Sequence, residues 1–237
     1  MLKCLVAEHT KPYLTNTLNF LRDWSRKNLL IIINSVERCN QEESVMSHTV
    51  VIYHSGYGHT QKQAAAVEQG AASVGGTTAE LLAISAEGEL PAGGWEKLEA
   101  ASAIVFGSPT YMGGPSWQFK RFADASSKPW SGSKWKDKIA AGFTNSASMN
   151  GDKLSTLHYL FTLAMQHGMV WIGTGMMPAN SKAAQRNDVN WLASFAGAMA
   201  QSPSDASPAE GPPPGDLETA RLFGRRIAEA VLRWNRR

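Results

Sequence analysis

From Thr49 onward, five short apolar runs alternate with stretches of helical pattern, and this alternation limits the fold more than any other feature of the chain. Val50 to His54, Thr78 to Ile84, Ala103 to Phe106, Lys138 to Thr144 and Met169 to Ile172 read as strands. Thr60 to Val74, Trp95 to Ala100, Pro115 to Ser127, Gly151 to His167 and Asp216 to Arg233 read as helices. Ala64, Val67, Ala71 and Val74 share one face of the first helix, and Gly75-Gly76 ends it. Pro115 is expected in the first turn of its helix, where an N–H has no partner anyway. Asp216 is expected to cap the last helix. Ala103-Ile104-Val105-Phe106 is continuously apolar, as a strand buried on both faces is. Such a series predicts an α/β fold: a parallel sheet covered on both faces and joined by right-handed crossovers. Ligands of these sheets bind beyond the C-terminal strand ends, at the switch point.

Three strand-end loops have the composition of a ligand site. The first is Ser55-Gly56-Tyr57-Gly58-His59-Thr60, which leads straight into a helix. A strand that breaks into a glycine-bearing turn before a helix aims free N–H groups and the positive end of the helix dipole at one point. That point suits a phosphate. Neither G-x-x-x-x-G-K-[ST] nor G-x-G-x-x-G is present here, so a single phosphate of a mononucleotide fits better than a triphosphate or a dinucleotide. The second loop runs from Gly107 to Gly114. In it Pro109 stiffens the chain, Thr110, Tyr111 and Met112 form the flank, and Gly113-Gly114 let the backbone pass close to a flat ligand. The third, Asn145-Ser146-Ala147-Ser148-Met149-Asn150, is small, polar and rich in backbone donors. Each could also be ordinary strand-to-helix turn chemistry. Together they propose a phosphate cradle, an aromatic flank and a rim of donors, the parts needed to hold FMN.

Composition removes other classes. The two cysteines, Cys4 and Cys39, both precede Met46, so the main body holds neither a disulfide nor a thiolate metal site. No His/Cys/Asp/Glu grouping has metal-ligand spacing. Arg221, Arg225, Arg226, Arg233, Arg236 and Arg237 follow a helical pattern and read as a solvated face, so no nucleic-acid partner is expected. The run Leu29 to Ile33 is far short of the ~20 residues that span a bilayer. No membrane span is expected, and the expected compartment is the cytoplasm. Residues 1–46 do not match the pattern that follows: Leu14, Leu18 and Leu21 read as a short helix and Leu29 to Ile33 as a strand. They are expected to be an appended extension or an over-long start, with residues 47–237 as the ligand-binding domain. A regulatory or oligomerising arm is the other reading.

The runs HSGYGHT, FGSPTYMGGPSWQFKRFAD, FTNSASMNGD and MQHGM resemble the flavodoxin-like NAD(P)H:quinone oxidoreductases of the WrbA type. The resemblance spans Thr49 to the C-terminus. It implies a flavodoxin-like three-layer sandwich with a five-stranded parallel sheet, FMN held without a covalent link, NAD(P)H as co-substrate, a quinone-like acceptor and a homo-oligomer. By position, Ser55 to Thr60 would hold the phosphate, Pro109 to Gly113 would flank the ring and Asn145 to Asn150 would form the third wall. Trp130 stands where the family has an aromatic near the flavin. Gln166 replaces a family histidine in the run Gln166-His167-Gly168. His167 is read either as the residue that positions the acceptor or donates a proton, or as the histidine that ends its helix. Tyr111 and Trp130 either wall the flavin or are ordinary sheet-edge aromatics, and Trp191 and Phe195 are read as packing or subunit contacts. The implied activity is hydride transfer from NAD(P)H through FMN to a quinone-like acceptor. The rivals are a flavodoxin-like electron carrier without turnover and a flavodoxin-fold binding protein. The mild net charge of +3 and the long region after Trp171 both count against a minimal carrier.

Overall fold

Val50, Val51 and Ile52 are wholly buried, and their side chains alternate between two separate cores. That is the period-two pattern of a strand covered on both faces. The computed structural model describes residues 46–235; the short helix and the strand expected near the start, and the extension that contains them, lie outside the described residues. Strands β1 (Ser47–Tyr53), β2 (Thr77–Ala83), β3 (Ala103–Tyr111), β4 (Gly114–Pro115), β5 (Ile139–Ser146), β6 (Val170–Trp171) and β7 (Ala198–Gln201) form one sheet. The helices are α1 (His59–Ala72), α2 (Gly94–Ala100), α3 (Trp117–Ala125), α4 (Ser127–Ser131), α5 (Lys153–Gln166) and α6 (Pro214–Asn235). The parallel order is β2-β1-β3-β5-β6, the doubly wound flavodoxin-like order, with its switch point between β1 and β3.

One core lies between the sheet and α2, α3 and α5. There Phe106, Phe119, Phe122 and Trp135 are buried together, with Leu157 and Leu160 of α5. Each such side chain contributes roughly 1.5–3 kcal/mol by leaving water. The opposite core packs Val51, Val105 and Phe143 against Val67 of α1 and Phe223 and Ile227 of α6. Glycine lets α1 and α6 touch backbone to backbone. A Cβ at Gly70 would stand 1.8 Å from the Arg221 carbonyl oxygen, and one at Gly224 would stand 1.9 Å from that of Val67.

Three expectations change. The fifth strand is split: β6 pairs with Ile139 and Ala140, and β7 pairs with Phe143 to Ser146, both parallel to β5. Residues 172–197 are inserted between the two halves. Pro115 is not in a helix; it sits in β4 opposite Thr110, and Ser116 caps α3 by accepting from the Phe119 N–H at 3.3 Å. Asp216 does not cap α6, which starts at Pro214. Its carboxylate is buried and takes both Arg186 guanidinium nitrogens at 2.7 Å and the Gln201 N–H at 2.9 Å. This pairing ties the insert to β7 and α6, and it holds the Arg186 guanidinium firmly protonated. Among the described residues no helix is long and apolar enough to cross a membrane.

Candidate functional site

The C-terminal ends of β1, β3, β5 and β7 surround one cavity of about 550 Å³. Its floor at the β1 end is the turn into α1. Gly58 takes a left-handed φ of 86° as N-cap, offers no side-chain cap, and no acidic residue occupies the first turn. The His59 and Thr60 N–H groups find no acceptor among the described residues. Tyr57, His59 and Thr60 line the cavity, and Thr60 is otherwise buried. Ser55 does not line it. Its Oγ accepts from the N–H groups of Gly58 at 3.1 Å and Gln61 at 3.2 Å, so it shapes the turn from behind. Gly56 lies close under Tyr111: a Cβ there would stand 2.7 Å from the tyrosine oxygen, so that ring would have to shift.

β3 runs further than its apolar core predicts, to Tyr111, and folds back as β4 through Met112 and Gly113, both at positive φ. This hairpin presents Pro109, Thr110 and Tyr111 to the cavity. The rings of Tyr57 and Tyr111 meet edge to face at 6.3 Å. Burial, and secondarily the Tyr57 hydroxyl, push the Tyr111 hydroxyl above its usual pKa. Thr110 Oγ1 is held by the hydroxyls of Thr144 at 2.8 Å and Thr156 at 2.7 Å. Met112 is fully exposed at the tip, and neither it nor Gly113 lines the cavity.

Asn145, Ser146 and Ala147 form the third wall. Ser148, Met149 and Asn150 do not reach it; Met149 and Asn150 line a separate groove with Trp191 and Phe195. The fourth wall has no ligand-site signature in the sequence. Ser202, Pro203, Ser204, Ala206 and Pro208 roof the cavity, in a stretch readable only as a Ser/Pro-rich loop. This strap is fastened by Ser202 to Asn145 Oδ1 at 3.1 Å and by His59 Nδ1 to the Gly211 carbonyl at 3.0 Å. Pro208 presses on Gly58, where a Cβ would stand 2.7 Å from its ring.

His167, Gln166 and Trp130 lie elsewhere. α5 begins beside the third loop and runs fourteen residues, roughly 20 Å, before it reaches them. The Trp130 indole N–H donates to the Gln166 carbonyl at 2.9 Å. His167 is buried, its ring 4.1 Å from that of Trp135. Its Nε2 meets Ser126 Oγ at 2.9 Å, and that hydroxyl already donates to the Ala123 carbonyl, so Nε2 carries the hydrogen. Nδ1 has no partner among the described residues. Desolvation pushes this imidazole down to about 4. Within one chain His167 thus sits apart from the cavity lining, enclosed by Ser126 and Trp135 at the end of its helix.

The crystal structure of a flavodoxin, WrbA-like protein from Agrobacterium tumefaciens superposes with a TM-score of 0.64 at 52% identity, over 79% of this chain and 98% of that one. Flavodoxin FldP of Pseudomonas aeruginosa is 50% identical over 183 residues, 77% of this chain and 96% of that protein. The chain belongs to the WrbA-type flavodoxin-like family. An NAD(P)H dehydrogenase (quinone) of Solidesulfovibrio magneticus is 30% identical over 204 residues, 78% of this chain and 98% of its own length. The family model for NADPH-dependent FMN reductase matches residues 93–184. The WrbA-type cavity here fits FMN on its own geometry. Two unpartnered N–H groups and the Thr60 hydroxyl suit the phosphate, and Tyr111 with Asn145 to Ala147 suits a flat heteroaromatic ring.

Proposed function

We propose that this chain is an FMN-dependent oxidoreductase that passes hydride from NAD(P)H to a quinone-like acceptor. The observation that carries the reading is the uncapped start of α1, which opens onto a cavity whose remaining walls are aromatic, amide and small. Bound FMN would supply the redox chemistry, accepting two electrons and returning them. The protein's part is to hold, orient and exclude water. Thr60 and the His59 and Thr60 N–H groups hold the phosphate end. Tyr111 and Tyr57 wall the ring, with Thr110 locked behind them by two hydroxyls. Asn145, Ser146 and Ala147 offer amide and backbone polarity along the ring edge. The strap from Ser202 to Pro208 shields the cavity, and its prolines, with the tyrosines, favour a flat apolar acceptor.

Fifty per cent identity to a protein called a flavodoxin favours a second reading, an electron carrier without substrate turnover. The two separate by steady-state NADPH oxidation with a benzoquinone. Turnover well above the rate of free FMN supports the oxidoreductase, and turnover no faster than free FMN assigns the carrier.

A further inference from the structure

Lys153 is left without a role by the proposed function. It is the first residue of α5, and its side chain is wholly buried. Its ammonium donates to Ser146 Oγ at 2.9 Å, to the Ser148 carbonyl at 2.7 Å and to the Met149 carbonyl at 2.8 Å. Three protons meet three acceptors, so the third loop is folded around the charged form. The position is otherwise poor for a cation. The first turn of a helix is the positive end of its dipole. Burial pushes the Lys153 amine down to about 8, with Asp216 opposing that shift and Arg186 adding to it. The group therefore stays largely charged at neutral pH.

No carboxylate touches Lys153 among the described residues. The neighbouring Asp216 carboxylate is engaged by Arg186 and by the Gln201 N–H. A buried charge without a contacting counter-ion is costly, and a neutral amide side chain could brace two of the same acceptors without that cost. The charge stands directly behind Ser146, which lines the cavity and takes one of the ammonium protons. β5 is two strands from β1 in the sheet, roughly 10 Å from the turn that suits the phosphate. The ammonium thus serves the other end of the cavity, where the ring would lie.

We propose that Lys153 is a positioning residue that stabilises the reduced, anionic flavin through the wall formed by Ser146 and Ala147. The inference rests on the FMN reading above. In the half-reaction, hydride leaves NAD(P)H with both electrons, giving NAD(P)+, and oxidised FMN becomes its reduced form with one negative charge on the ring. No proton is consumed. A fixed cation placed beforehand favours that charge and need not reorganise when it appears.

The test loads the full chain and its K153M and K153Q variants with FMN. Affinity for oxidised FMN is read by fluorescence quenching, and the two-electron potential by redox titration. The ratio of reduced-form to oxidised-form dissociation constants is expected to rise at least tenfold in both variants, a fall of about 30 mV for a two-electron couple. Equal weakening of both forms, with an unchanged potential, would overturn the assignment and leave Lys153 as a loop brace. Should both variants fail to fold, the wild-type potential decides. The charged groups facing Lys153 are Asp216 on α6 and Arg186 in the insert. Above pH about 8, reduction is expected to take up one additional proton as the ammonium is restored; a potential whose pH slope shows no added proton contradicts the proposal. A wild-type chain that takes up no FMN overturns the FMN reading and this one together, whereas uptake with an unchanged ratio overturns only the role of Lys153.

Discussion

Thr60 and Ser55 look alike in the sequence, two hydroxyls in one turn, but they do different work. Thr60 faces the cavity, while Ser55 Oγ is occupied by two backbone N–H groups of the turn itself. On the proposed placement of the phosphate, Thr60→Ala would remove a hydrogen bond to a charged group, worth about 1.5–3 kcal/mol. FMN affinity is expected to fall roughly 10- to 100-fold by fluorescence titration, with thermal stability little changed. His167 gives the second prediction at this scale. Its imidazole has a depressed pKa in the folded chain, so between pH 6.5 and about 4 the unfolded chain binds a proton that the folded one refuses. Stability is therefore fully present above pH 6.5 and is lost as the pH falls towards 4, by about 2–3 kcal/mol from this one group. His54, also depressed by burial, acts in the same direction. Urea melts across that range should show the slope, and His167→Asn should flatten it. The sequence left His167 open between a site and a helix end. Only the fold shows that Ser126 and Trp135 enclose it.

At the scale of elements, what could be read in the chain depended on whether a signal was local. β1, β3 and β5 announce themselves by buried aliphatic runs, and the three loops at their ends by glycine and hydroxyl content. β7 does not. Its Ala198 and Ala200 are buried, but alanine and methionine carry no strand signature, and the strand exists because β5 offers a free edge there. A Cβ at Gly197 would stand 2.2 Å from the Gly142 carbonyl oxygen, so a glycine is required where the chain enters that edge. The strap was legible as a loop but not as a roof, because its position depends on the long-range contacts of Ser202 and His59. Lys153 did carry a readable conflict, a cation in the first turn of a helix, which local preference opposes. The contact between α1 and α6 gives the prediction for this scale. Gly224→Ala drives a methyl into the Val67 carbonyl, and the two helices cannot separate without opening the core around Phe223 and Ile227. A loss of about 3 kcal/mol or more is expected in chemical denaturation, above the usual range for one substitution. A loss under 1 kcal/mol would mean that the helices pack less closely than described.

For the molecule as a whole, residues 46–235 by themselves supply two cores and the lining of the cavity. A chain that starts at Met46 is therefore expected to bind FMN within about twofold of the full chain and to unfold at the same temperature; a large loss of either would give residues 1–45 a part in the fold or the site. Four strand ends and a strap enclose the cavity, which is proposed to seat a phosphate at one end and a flat ring at the other. Titrating the full-length protein with FMN while following flavin fluorescence tests this proposal most directly. Quenching is expected to saturate at one FMN per chain and to be weakened by Thr60→Ala. Fluorescence that stays at the free-flavin level throughout, in a protein shown to be folded, would contradict it.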